Sequence, residues 1–126
     1  MNALYTIASL ALLVGCSRSE PSSGTGSAST QPRAARETFT KRCAPCHGET
    51  GRGDGAFAAK LPTKPPDFAD VGWQKGVTDD ELRKAIVGGG VAVGKGSAMP
   101  AAHDLDGKPE LDEIVAIVRS FATDPR

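Results

Sequence analysis

The run Cys43-Ala44-Pro45-Cys46-His47 constrains this chain more than any other feature. It sets two thiols three residues apart, with an imidazole directly behind the second. Cys-x-x-Cys-His is the attachment signature of a c-type haem, in which both thiols add across porphyrin vinyl groups and the imidazole becomes an axial ligand of iron. Residues three apart lie on one side of a helical turn, so both sulfurs can reach one porphyrin edge if the motif ends a helix. Two other chemistries use paired cysteines. Zinc needs two further ligands, and besides carboxylates only His103 remains. A thioredoxin-like pair needs a βαβ context, and no strand pattern is present.

A chain of 126 residues has room for one small domain. Its large aromatic side chains are few: Tyr5, Phe39, Phe57, Phe68, Trp73 and Phe121. A bulky planar cofactor at the centre would let so small a set build a core. Three cysteines, an odd number, argue against a closed disulfide framework and leave Cys16 to be explained separately. Fifteen basic residues balance fifteen acidic ones, so no nucleic-acid partner is indicated. Residues 17–64 hold eight basic and four acidic side chains, and residues 65–126 hold seven and eleven. That asymmetry is either a dipole able to orient a redox partner or ordinary solvated charge.

Residues 2–15 carry no charge and are mostly apolar. The stretch is shorter than the ~20 residues of a membrane-spanning helix and fits the h-region of an export signal. It ends in Leu13-Val14-Gly15-Cys16, which resembles the lipobox of bacterial lipoproteins and implies Cys16 as the lipidated mature N-terminus, the alternatives being an ordinary signal peptide or a short uncleaved anchor. The usual Lys or Arg before the apolar stretch is missing. Ser17 stands where an inner-membrane retention signal has Asp, which favours the outer membrane. From Ser17 to Gln31 the Ser, Gly, Thr, Pro and Ala content reads as a flexible tether. Such a segment spans roughly 20–25 Å, enough to lift a domain with a radius of gyration near ~12–13 Å off a bilayer. The organisation expected is a signal peptide over 1–15, a lipidated N-terminus and linker over 16–32, and one domain over 33–126.

Within that domain a short helix is expected from about Arg33 to Cys43, anchored by Phe39 with Ala35 one turn earlier. Residues 48–55 form a glycine-rich turn, and the prolines of 61–68 keep that stretch extended. Thr78-Asp79-Asp80-Glu81 is a capping box opening a helix with Leu82, Ala85 and Ile86 on one face. Gly88-Gly89-Gly90 stops it. Leu111, Ile114, Val115, Val118 and Phe121 form one apolar stripe, with Pro109 at the first helical position. The fold class is therefore all-α: three to four short helices and long loops wrapped around one covalently bound haem.

Iron needs a sixth ligand. Besides Met1, which lies in the signal, Met99 is the one methionine, and it follows a Gly/Ser loop and precedes Pro100. A neutral, soft thioether favours ferrous iron and raises the potential. His103 is the rival ligand, and Met99 as ordinary core is the remaining alternative.

These parts, in order, resemble the bacterial class I cytochromes c with a single haem. The resemblance covers residues 33–126 and rests on six stretches. These are Cys43 to Gly48, Gly51 to Gly55, Pro65 to Phe68, Trp73-Gln74, Thr78 to Leu82 and Met99-Pro100, followed by the terminal apolar helix. It implies that Cys43 and Cys46 form thioethers, with His47 as the proximal ligand and Met99 as the distal one. It also implies that the first and last helices cross with Phe39 near Phe121, and that the carbonyl of Pro65 or Pro66 orients the imidazole. The sequence departs at Asp106-Gly107-Lys108, where the turn before the last helix is lengthened.

Two glycine patterns are decoys. Gly89 to Lys95 starts like a phosphate-binding loop, but Gly96 replaces the required Ser/Thr and no strand precedes it. Gly51 to Gly55 lacks dinucleotide spacing and reads as backbone that turns sharply or approaches a haem edge. The function expected is a membrane-tethered electron carrier between periplasmic protein partners, not an enzyme, with no small-molecule substrate evident. The alternatives are a haem subunit of a larger oxidoreductase complex and a catalytic or ligand-sensing haem protein.

Overall fold

Ala35, Phe39 and Cys43 recur at every fourth position, and that spacing puts them on one face of the first helix. The computed structural model describes residues 31–123. The expected signal, Cys16 and nearly all of the linker lie outside the described residues. Helix α1 (Gln31–Thr38) continues through a π-turn (Phe39–Cys43) into α2 (Ala44–His47). The helix thus starts earlier than expected and carries the whole motif. Pro45 explains the wide turn: it has no N–H for the carbonyl four residues back, and its ring crowds that carbonyl. Ala44 donates instead to the Phe39 carbonyl, five residues back.

Helix α3 (Val71–Gly76) was not anticipated. Its start is the Asp70 carboxylate, which accepts the Trp73 N–H at 2.7 Å. Helix α4 (Asp79–Ala92) opens on the expected capping box: Thr78 Oγ1 accepts from Glu81 N–H at 3.2 Å, and Glu81 Oε2 accepts from Thr78 N–H at 2.8 Å. The glycine triplet breaks α4 at Gly89 (φ 72°, ψ −177°), and one helical turn follows the break. Helix α5 (Pro109–Ser120) begins on Pro109 and buries Leu111, Ile114, Val115, Ile117 and Val118. Short 3-10 turns cover Ala58–Lys60, His103–Leu105 and Phe121–Thr123. Among the described residues there is no strand, so the chain is all-α.

Helix α1 packs across α5, and Phe39 meets Phe121 with ring centroids 5.5 Å apart. Leu82, Ile86, Leu105 and Phe68 complete the core. One buried polar side chain ties α3 to α5. Gln74 Nε2 donates to the carbonyls of Phe68 (2.7 Å) and Val118 (2.9 Å), while Gln74 Oε1 accepts from Arg119 at 2.7 Å. Arg119 also donates to the carbonyls of Gln74 and Val77, closing the C-terminal end of α3. Gln74→Ala would strand two buried carbonyls. It is expected to destabilise the protein by about 2–3 kcal/mol, read as a lower denaturant midpoint with unchanged slope.

Among the described residues no helix is long and apolar enough to cross a membrane.

Candidate haem site

The three residues that end α2 expose carbonyls that its own amides cannot reach. Gly48 (φ 81°) turns the chain back, and the next loop supplies the missing donors. Gly53, Gly55 and Phe57 donate their N–H groups to the carbonyls of His47 (2.8 Å), Cys46 (3.2 Å) and Pro45 (2.9 Å). The alternate glycines are there because the backbones nearly touch. A Cβ on Gly53 would stand 2.3 Å from the Pro65 oxygen, and one on Gly55 2.4 Å from the Pro45 oxygen. The expectation that this stretch turns sharply holds, and what it approaches is the motif helix and Pro65.

His47 is braced by Phe68, whose ring stacks on the imidazole at 4.8 Å and 15°. Burial lowers the imidazole to about 4, so it is neutral at ordinary pH, as an iron ligand must be. Its Nδ1 is enclosed and without a hydrogen-bond partner. Neither Pro65 nor Pro66 therefore accepts from it, and the Pro65 carbonyl lies against Gly53 instead.

Cys43 and Cys46 are both half-buried, and no disulfide joins them. Burial pushes the Cys43 thiol up to about 11, with neighbouring Arg42 acting in the opposite direction. A reactive redox thiol is held well below its usual pKa, so the shift runs against thiol exchange. Nor do the motif side chains converge on one point: among the described residues, no three His, Cys, Asp or Glu side chains form a metal-holding group. Two half-buried thiols and a half-buried neutral imidazole, close in sequence but forming no such group, suit a larger group gripped at separate places.

Met99 is half-buried against the core. Its carbonyl accepts from the Gly90 N–H at 3.0 Å, and Ala102 N–H donates to the Ile86 carbonyl at 2.9 Å. His103, the rival, lies exposed in the turn beyond. Arg42, beside Cys43, makes a two-pronged contact with Asp104 at 2.8 and 3.0 Å, tying the cysteine helix to the turn after Met99. Two surface grooves, of about 660 Å³ between α4 and residues 106–112 and about 350 Å³ beside Gly53 to Lys64, are lined by none of Cys43, Cys46, His47 or Met99.

The site residues thus fit a covalently held haem: two half-buried thiols without a disulfide, a neutral imidazole directly behind them, and a thioether on a fastened loop. The bracing by Phe68 and the carbonyl pairing of Gly53 and Gly55 were not foreseen. The one signal for the pairing is glycine at every second position after the motif.

The cbb3-type cytochrome c oxidase subunit FixP of Rhizobium etli is 31% identical over 88 residues, which is 70% of this chain and 27% of that protein. The chain therefore spans about a quarter of the length of that curated relative. A family profile described as cytochrome c oxidase, cbb3-type, subunit III matches residues 30–118. The chain belongs to that family, and it is a c-type cytochrome, an electron-transfer protein with covalently bound haem.

Proposed function

We propose that Cys43 and Cys46 hold one haem through two thioethers, with His47 and Met99 as the axial ligands of its iron. The observation that carries this reading is the separate bracing of the two candidate ligands around one core. His47 is stacked on Phe68, and Met99 is bonded through its backbone to α4. A haem so held supplies one-electron exchange between ferric and ferrous iron. The neutral imidazole of His47 adds no charge and needs no proton loss. The Met99 thioether favours the ferrous state and keeps the potential high. With His47 and Met99 both given to the iron, no position would remain for a substrate, which supports a carrier over an enzyme.

The names of the family and of the relative favour one setting: a haem subunit passing single electrons within an oxidase complex. The tethered shuttle between protein donor and acceptor is the second reading, supported by Cys16 and the linker that follows it. Either places the domain on the periplasmic side of a bacterial membrane. Gentle extraction separates them: co-purification with oxidase subunits at fixed ratio supports the complex, and a lone lipidated chain supports the shuttle. The mass of the mature N-terminus tests lipidation of Cys16.

Reduced-minus-oxidised visible spectra test the iron site. Met99→Ala is expected to keep the covalent haem, lose the wild-type axial ligation and lower the reduction potential. Unchanged ligation and potential in that variant would remove Met99 from the site. Cys43→Ser with Cys46→Ser is expected to leave a chain whose mass lacks haem under denaturing conditions.

A further inference from the structure

We infer that the break in α4 at Gly89 is the device that positions Met99, making Gly89 and Gly90 positioning residues for the distal ligand. The inference rests on the reading of Met99 as an iron ligand.

In an unbroken helix the Gly90 N–H would donate to the Ile86 carbonyl. Gly89, at φ 72° and ψ −177°, turns the chain out of the helix and frees both groups. The segment bearing Met99 takes them both. Gly90 N–H donates to the Met99 carbonyl at 3.0 Å, and the Ile86 carbonyl accepts from Ala102 N–H at 2.9 Å. The Gly90 carbonyl is used as well, accepting from Lys95 N–H at 2.8 Å. Residues 95, 99 and 102 are therefore registered on residues 86–90, on both sides of the ligand. The far end of the register is rigid, because Leu82 and Ile86 sit in the core.

The approach is too close for any side chain. A Cβ on Gly89 would stand 2.7 Å from the Met99 oxygen and 3.0 Å from the Ala101 nitrogen. One on Gly90 would stand 2.4 Å from the Gly96 oxygen and 3.4 Å from the Met99 Cβ. Gly94 and Gly96, within the loop itself, have nothing within 4 Å of an added Cβ. The loop before Met99 is thus open, and its placement comes from α4. A freed helical donor and acceptor pair has been converted into a two-point mount for the thioether.

The mount sets how readily Met99 yields its place to a competing ligand. The test uses the holoprotein and added imidazole as probe, with reduction potential as a second readout. Gly89→Ala and Gly90→Ala are expected to raise the ferric protein's affinity for imidazole roughly five- to tenfold, the worth of one backbone hydrogen bond. Both are expected to lower the potential. Gly94→Ala, with the same left-handed φ of 72° and no close neighbour, is expected to lose some stability to that conformation but to keep the wild-type imidazole affinity and potential. If Gly89→Ala does not accumulate folded, Gly90→Ala carries the test, since position 90 has no left-handed φ.

Wild-type imidazole affinity in the Gly90 variant, or an equal rise in the Gly94 variant, overturns the mount while leaving Met99 as ligand. A Met99→Ala protein with wild-type imidazole affinity overturns the ligand reading, and this inference with it. Slow hydrogen exchange of the Gly90 and Ala102 amides in the wild type is expected. Exchange at the rate of free peptide would refute the mount without any variant.

Discussion

Gly53→Ala is expected to lower the stability of the holoprotein by about 3–5 kcal/mol and to cut the yield of chain with haem attached. Three causes act at one residue. The backbone at φ 66° is left-handed, which costs a residue with a Cβ about 1–2 kcal/mol. The new methyl would stand 2.3 Å from the Pro65 oxygen and 3.0 Å from the Pro66 oxygen, so main chain must move, at about 1–3 kcal/mol. That movement pulls the Gly53 N–H from the His47 carbonyl, the bond that closes the end of the motif helix. Gly107→Ala separates these causes. Gly107 has φ 68° with nothing within 4 Å, so it should lose only the conformational part, about 1–2 kcal/mol. Denaturant midpoints measure both. Equal losses would show that contact with Pro65 carries no weight.

Gly53 also marks where sequence reading stops. The Thr78–Glu81 box, the Pro109 start and the apolar stripe from Leu111 to Phe121 were legible because each is local chemistry with a fixed spacing. The packing of α1 on α5, with Phe39 near Phe121, follows the family resemblance. Helix α3 was missed because six residues show no period. Asp70 caps it, but Gln74 and Arg119, reaching from α5, hold it in place. The π-turn was hidden for a related reason: Pro45 announces a lost hydrogen bond without saying how the helix will reroute it. In the proposed site, Met99 could be picked out by counting methionines. Its fastening to Gly90 could not, since that bond exists only once Gly89 has broken α4. The glycines of 51–55 were legible as close-packed backbone, but their neighbours, Pro45, Pro65 and Phe121, come from three separate segments.

Phe39→Ala is expected to destabilise the protein by about 3–5 kcal/mol, the other large effect. The side chain is 1% exposed and follows directly on α1, which packs on α5, so its removal leaves a cavity that two packed helices cannot close. Phe39→Leu should recover more than half of the loss. The ring also begins a line of aromatics that ends at the site. Phe39 touches Phe121 at 5.5 Å, Phe121 faces Phe68 at 6.2 Å, and Phe68 stacks on His47 at 4.8 Å. Truncation at the far end removes support two rings away from the imidazole, whereas Phe68→Ala removes the ring that fixes its plane. Stability and iron chemistry should therefore separate along the line. Phe39→Ala is expected to lose the most stability with the smaller change in reduction potential, and Phe68→Ala to show the larger potential change. Denaturation and redox titration of the two holoproteins check the order. A reversed order would mean that His47 is oriented by its backbone alone, with Phe68 serving only as core.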